Sequence, residues 1–380
     1  MGTDAWKNWQ GFDAGEPEGE NYDDELHSDV EFAGGARDFG PFRLSAVHRE
    51  VPATQDVGLA LVLHGGVHVS LIPDVVINGK LAKPDSTAYH GGTMSDEVAA
   101  LVSLIMGVRL RVAGTARLSG IHQPDDDPGR LPMLFEVPRL TRPGRGDDLI
   151  PAAVQRSTNL DDLDRLVSFP SLAEGAQVEL VRAARSYASG LWWANEDPNL
   201  AWLQLVTAVE IAAKARQLSE VDAVALLKDV WEELWTAIEP ADDPVRQSVA
   251  YLLAPQIRAA RAFRDFLADC APEPPEIRPQ FSPLDWTKIR QHAGKIYEHR
   301  SQALHAGKPF PMPMCERPGI EGPNAIQEVP YGLNSGSNGA IWAAKETPML
   351  LSTFEYIARG ALLAWWDELI DAASGSRPAT

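Results

Sequence analysis

A chain of 380 residues that is 44% hydrophobic and 23% charged has enough apolar material for two or three domains with buried cores. Its formal net charge of −19 repels nucleic acid at long range, which excludes a general nucleic-acid coat and leaves contact only at a local site. The most apolar run, residues 349–366, carries Glu355 and Arg359, so no membrane association is expected.

The start of the chain is acidic and polar, without the basic and apolar segments of a secretory signal. The lone Cys270 and Cys315 have neither metal nor disulfide-framework spacing. A cytoplasmic protein is therefore expected. Residues 1–38 are rich in Gly, Asp and Glu with no sustained period and read as an acidic, mostly irregular lead. Residues 39–148 read as an α+β domain. Short β-branched runs at 42–47, 57–64, 67–72, 74–79, 108–114 and 132–137 are punctuated by Gly and Pro, and a helix over 95–107 is capped by Ser95 and closed by Gly107. The Pro/Gly/Arg stretch at 138–148 is the expected boundary.

From 149 to 380 the pattern is helical. Apolar periodicity predicts helices over 173–194, 197–217, with Asp197 as N-cap and Pro198 at the first helical position, and 219–238, with Ser219 and Asp222 at capping-box spacing. Further helices are expected over 244–270, kinked at Pro255, over 282–307, and at the end of the chain after a Pro/Gly-rich loop at 307–346. The fold class expected is α+β: a mixed strand/helix domain followed by an all-α bundle.

Within the 282–307 helix, Trp286, Ile289, Ala293 and Ile296 form an inward stripe whose next steps fall on Arg300 and Ala303. A guanidinium stays charged, so at such a place it needs a carboxylate or a solvated seam. Leu203, Val206, Glu210 and Ala213 form a similar stripe with an acid at an inward step, which suggests an Arg300–Glu210 ion pair. Such a pair serves equally well as a device that fixes helix register. His305 lies about 7.5 Å further along the helix and about 140° around it. Gly307 and the prolines at 309, 311 and 313 place it in the last turn, where carbonyl dipoles favour the imidazolium; it is either a proton donor or a simple terminal cap.

The run IYEHRSQALHAG, residues 296–307, with LQLVTAVEIAAKA upstream, resembles the HEPN superfamily, in particular its Apea-like group associated with abortive infection. The resemblance covers about residues 170–310. It implies a HEPN-like helical bundle that commonly forms a homodimer, and a metal-independent endoribonuclease that uses the RNA 2′-hydroxyl as nucleophile and leaves a 2′,3′-cyclic phosphate, in a defence or toxin-type role. By the same resemblance Arg300 and His305 are the paired catalytic residues, Glu210 is a supporting acid, and Ser301 and Tyr297 are auxiliaries. Ser301 departs from the Asn, Asp or His that often follows the arginine. Other members are non-catalytic nucleotide-binding or scaffold modules, and that reading stays open here. No cofactor or metal is implied; the RNA target and any antitoxin or activator partner are unnamed.

His64, His68 and His90 invite a metal reading, but in a strand the first two would lie about 13 Å apart along one face unless Gly65-Gly66 turns tightly. The tryptophans recur at helical spacing and read as core or interface residues rather than base-stacking platforms. The basic runs KAR (214–216) and RAARAFR (258–264) read as solvated helix faces.

Overall fold

The computed structural model describes residues 2–47, 57–70, 76–77, 80–120, 133–134, 148–153, 157–216, 222–230, 232–322, 324–331, 334–337 and 339–375. The strands expected at 67–72, 74–79 and 132–137 lie partly outside these residues, and most of the 138–148 stretch and Ser219 lie outside them entirely. The chain is α+β, with sheet in its N-terminal part and helices dominating its C-terminal part.

Helix α1 (Asp4–Asp13) is followed by β1 (Glu20–Ser28), β2 (Glu31–Ala33), β3 (Arg37–Phe39), β4 (Phe42–Ala46), β5 (Gly58–Val67) and the short β6 (Val76–Ile77) and β7 (Lys80–Leu81). Then come α2 (Met94–Met106), β8 (Arg111–Gly120), β9 (Met133–Leu134), β10 (Ser157–Asn159), α3 (Glu174–Trp193) and α4 (Pro198–Arg216). Among the described residues β3-β4-β5-β1-β8-β9 form one antiparallel sheet in that order, and β2 pairs in parallel with β10.

The lead expected to be irregular is a central part of this unit, because β1 lies between β5 and β8. Its sequence, ENYDDELHS, hides the strand period behind acids: Tyr22, Asp24, Leu26 and Ser28 are the buried face. Burial pushes the Asp24 carboxyl above its ordinary value. Helix α1 also departs from expectation. Its N-cap Thr3 makes no side-chain cap bond; the buried Glu97 of α2 instead accepts the Asp4 and Ala5 amides at 3.1 Å each, satisfying two donors that a helix start leaves open. Helix α2 is capped two residues earlier than expected, by a Thr93/Asp96 capping box rather than by Ser95, and it closes on Gly107 at φ +65°.

The remaining helices are α5 (Ala223–Val230), α6 (Glu232–Ile238), α7 (Asp243–Cys270), α8 (Ile289–Ala306) and α9 (Leu351–Gly375). Asp197 caps α4 by accepting the Leu200 amide at 3.0 Å. Helix α8 begins later than expected, after a 3-10 turn at Trp286–Lys288 that Asp285 caps. The 307–346 loop holds two small hairpins, β11 (Ile320–Glu321) with β12 (Ala325–Ile326) and β13 (Asn334–Ser337) with β14 (Ala340–Ala343).

Compactness divides the chain at other points than residue 148: one unit is Met1–Gln204 with Trp366–Thr380, the other Leu205–Trp365. Helix α3 and the start of α4 thus belong with the N-terminal sheet, since α2 packs on α3. In the first unit Trp192, Trp202 and Trp366 are at most 1% exposed, and in the second Trp365 is 1% exposed. Each buried side chain of this size contributes about 1.5–3 kcal/mol of apolar transfer, which is why these four tryptophans sit in cores.

Candidate functional site

In the second unit, Ile289, Ala293 and Ile296 of α8 are buried, and Arg300 continues their stripe at its partly exposed edge. The Arg300 Nη2 donates to Glu210 Oε2 of α4 at 2.7 Å; the two side chains retain 22% and 18% exposure. The ion pair suggested by the two stripes is present. Burial raises the Glu210 carboxyl above its ordinary value, with Arg300 and Tyr297 opposing that shift. The Arg300 Cζ lies over the Tyr297 ring, 5.7 Å from its centroid, and Phe263 makes a tilted ring contact with Tyr297 at 5.4 Å. Among the described residues the Arg300 Nε, itself buried, has no hydrogen-bond partner.

His305 is exposed in the last turn of α8, and Ser301 is partly exposed one residue past Arg300. The helix ends on Gly307 at φ +63°, and the Lys308 amide returns to Gln302 O at 3.2 Å. No atom would lie within 4 Å of a Cβ at Gly307, so its replacement costs backbone strain alone. Gly307→Ala is expected to destabilise the end of α8 by about 1–2 kcal/mol. Faster amide hydrogen exchange in residues 302–306 would register this; unchanged exchange would mean that the turn does not hold the end of the helix.

Sequence reasoning passed over His299, which precedes Arg300. It is 7% exposed, and its Nε2 donates to Glu346 O at 2.6 Å, fixing α8 to the loop before α9. Burial lowers its pKa and favours the neutral ring. Nothing in the spacing signalled this, because the partner is a backbone carbonyl 47 residues away.

The three N-terminal histidines go to separate partners. Gly65 and Gly66 lie within β5 and make no turn. His64 Nδ1 meets Asp23 at 2.8 Å, His68 Nδ1 donates to Glu16 O at 2.9 Å, and His90 Nε2 meets Glu97 at 2.8 Å. No group of three or more His, Cys, Asp or Glu suited to a metal ion occurs among the described residues. Although partly desolvated, the Asp23 carboxyl is held below its ordinary value by Arg117 at 2.6 Å and by His64. Its contribution to stability is present above about pH 4, the ordinary Asp range, and fades as pH falls through the depressed folded value. Arg117→Ala is expected to raise that pKa, which carboxyl-detected NMR would follow; an unmoved titration would show that Arg117 does not set it.

The basic runs carry acid partners: Arg216 pairs with Asp269 at 2.8 Å and Arg261 with Asp265 at 3.2 Å. Among the described residues no helix is long and apolar enough to cross a membrane. Comparison with protein-family models, curated proteins and solved structures found no match.

Proposed function

We propose that the helical part of the chain, residues 149–380, is a HEPN-like, metal-independent endoribonuclease that acts through Arg300 and His305 as a homodimer, in a defence or toxin-type role. The observation that carries this reading is the disposition of the pair on α8. Glu210 holds the guanidinium at the partly exposed edge of the α8 stripe, and an exposed imidazole sits about 7.5 Å along and about 140° around the same helix, at its αL-capped end.

The chemistry follows from these groups. An RNA 2′-hydroxyl attacks the adjacent phosphorus, the bond to the 5′-oxygen breaks, and a 2′,3′-cyclic phosphate and a 5′-hydroxyl result. His305 moves a proton at one of those oxygens, and a second copy of the motif across a dimer would serve the other. Arg300 stabilises the charge that develops on the phosphate. Tyr297 and Glu210 fix the guanidinium, and Ser301, the next residue on α8, is assigned as an auxiliary hydroxyl. The RNA target and any antitoxin or activator are separate questions from this chemistry.

A second reading is favoured by the 2.7 Å Arg300–Glu210 contact itself, which would serve a non-catalytic nucleotide-binding or scaffold protein as a register-fixing pair. The two readings part in one experiment. Purified protein incubated with total RNA in EDTA is expected to yield fragments ending in 2′,3′-cyclic phosphate. Intact RNA would favour the scaffold, and fragments with 3′-hydroxyl ends would contradict attack by the 2′-hydroxyl.

A further inference from the structure

Away from the α8 site, a cavity of about 80 Å³ in the first unit is lined by Asp96, Ala99 and Ala100 of α2, by Leu110 and Arg111 at the start of β8, and by Arg185, Ala188 and Ser189 of α3. It exists because α2 and α3 present small side chains to each other at 99, 100, 188 and 189. A water occupies about 10–15 Å³ on this measure, so the space holds several waters or one oxyanion.

Its walls carry two guanidiniums in a protein whose net charge is −19. Arg111 lies 4.9 Å from the Trp192 ring and 5.7 Å from that of Trp193. Among the described residues its guanidinium forms no hydrogen bond and no ion pair, although it is only partly exposed. Burial lowers its pKa, with Asp96 opposing and Arg185 adding to the shift. Arg185 is already positioned by its neighbours: Nη1 donates to His90 Nδ1 at 3.3 Å and Nη2 to Gly91 O at 3.2 Å. The space for it is left by Gly92, where a Cβ would lie 1.3 Å from Arg185 Nη1.

Asp96, the acid in the wall, serves the α2 cap and also pairs with Arg185. Its Oδ2 accepts the Thr93 amide at 2.8 Å and hydroxyl at 3.0 Å and is 4.0 Å from Arg185. Ser189 is one turn beyond Arg185 on α3, so its hydroxyl shares the same face. Two forks from different elements with a hydroxyl beside them suit oxygens that point in several directions, as in a tetrahedral group; a carboxylate offers two oxygens in one plane to one fork.

We infer that this cavity binds the phosphate group of a small molecule, held by Arg111 and Arg185 with Ser189 as an additional donor. The inference stands apart from the α8 site, since none of its residues lies in the second unit.

Isothermal titration calorimetry of the full chain in phosphate- and sulfate-free buffer tests it, with inorganic phosphate, AMP and acetate as separate titrants. Saturable binding of phosphate or AMP is expected, with acetate weaker. Arg111→Met, which removes the fork and leaves an unbranched apolar side chain near Trp192, is expected to weaken binding about tenfold or more. Gly92→Ala displaces only the flexible end of Arg185 and is expected to act in the same direction, so the test does not depend on one variant folding. Arg300→Ala is expected to bind as wild type. Absence of saturable binding, acetate binding as tightly as phosphate, or affinity unchanged in both Arg111→Met and Gly92→Ala would overturn the inference.

Discussion

His305→Ala is expected to lower cleavage of single-stranded RNA by about 10²–10⁴-fold, the usual scale for loss of a positioned proton-transfer group, while leaving thermal unfolding unchanged. The second half of that expectation follows from the exposure of the imidazole in the last turn of α8, where its removal opens no cavity. Arg300→Ala is expected to behave differently. It removes charge stabilisation at the phosphate, and it also leaves Glu210 partly buried without its cation. Activity should therefore fall together with stability, the latter by about 1–3 kcal/mol given the residual exposure of both side chains. The contrast separates the two functional readings. Under the scaffold reading Arg300→Ala alone has a phenotype, and that phenotype is instability.

Arg109→Met is expected to be the most damaging polar substitution in the first unit, costing about 3–5 kcal/mol. Arg109 is 2% exposed; its Nε donates to Leu191 O at 3.0 Å and its Nη1 to Asp29 at 3.2 Å, with Asp29 itself 3% exposed. It therefore ties the segment between α2 and β8 both to the end of α3 and to the turn after β1. Removing the guanidinium leaves Asp29 as a buried charge without its cation, and a methionine of similar length fills the space without meeting that need. Adding Asp29→Asn should recover part of the loss, because the stranded charge is then gone. Thermal unfolding of the single and double variants measures both effects. Equal melting of Arg109→Met and wild type would show that the pair carries no stability.

What could be read from the sequence, and what could not, divides along physical lines. The long helices were legible because their apolar stripes persist over several turns, and the same stripes pointed to Arg300 and Glu210: a charge at an inward step needs a partner, and the two partners meet at 2.7 Å. The exposed position of His305 followed from Gly307, whose positive φ closes α8. Strand β1 was hidden because Asp23, Asp24 and Glu25 mask its alternation; its identity depends on β5 and β8, which lie 30 or more residues beyond it. The capping of α1 by Glu97 and the His299–Glu346 bond were beyond reach for the same reason, since each joins segments distant in sequence. The Arg111 cavity is not legible in the sequence because the residues that open it, Ala99, Ala100, Ala188 and Ser189, are small, and small residues at helical spacing signal packing rather than a space.

The central claim, that the α8 pair acts on RNA through the ribose 2′-hydroxyl, is tested most directly by a matched pair of oligonucleotides in EDTA, one all-ribose and one with a 2′-deoxy sugar at the cleaved position. The all-ribose strand is expected to be cut there and the substituted strand to survive at that position. Cutting of both at equal rates, or of neither, would contradict the account.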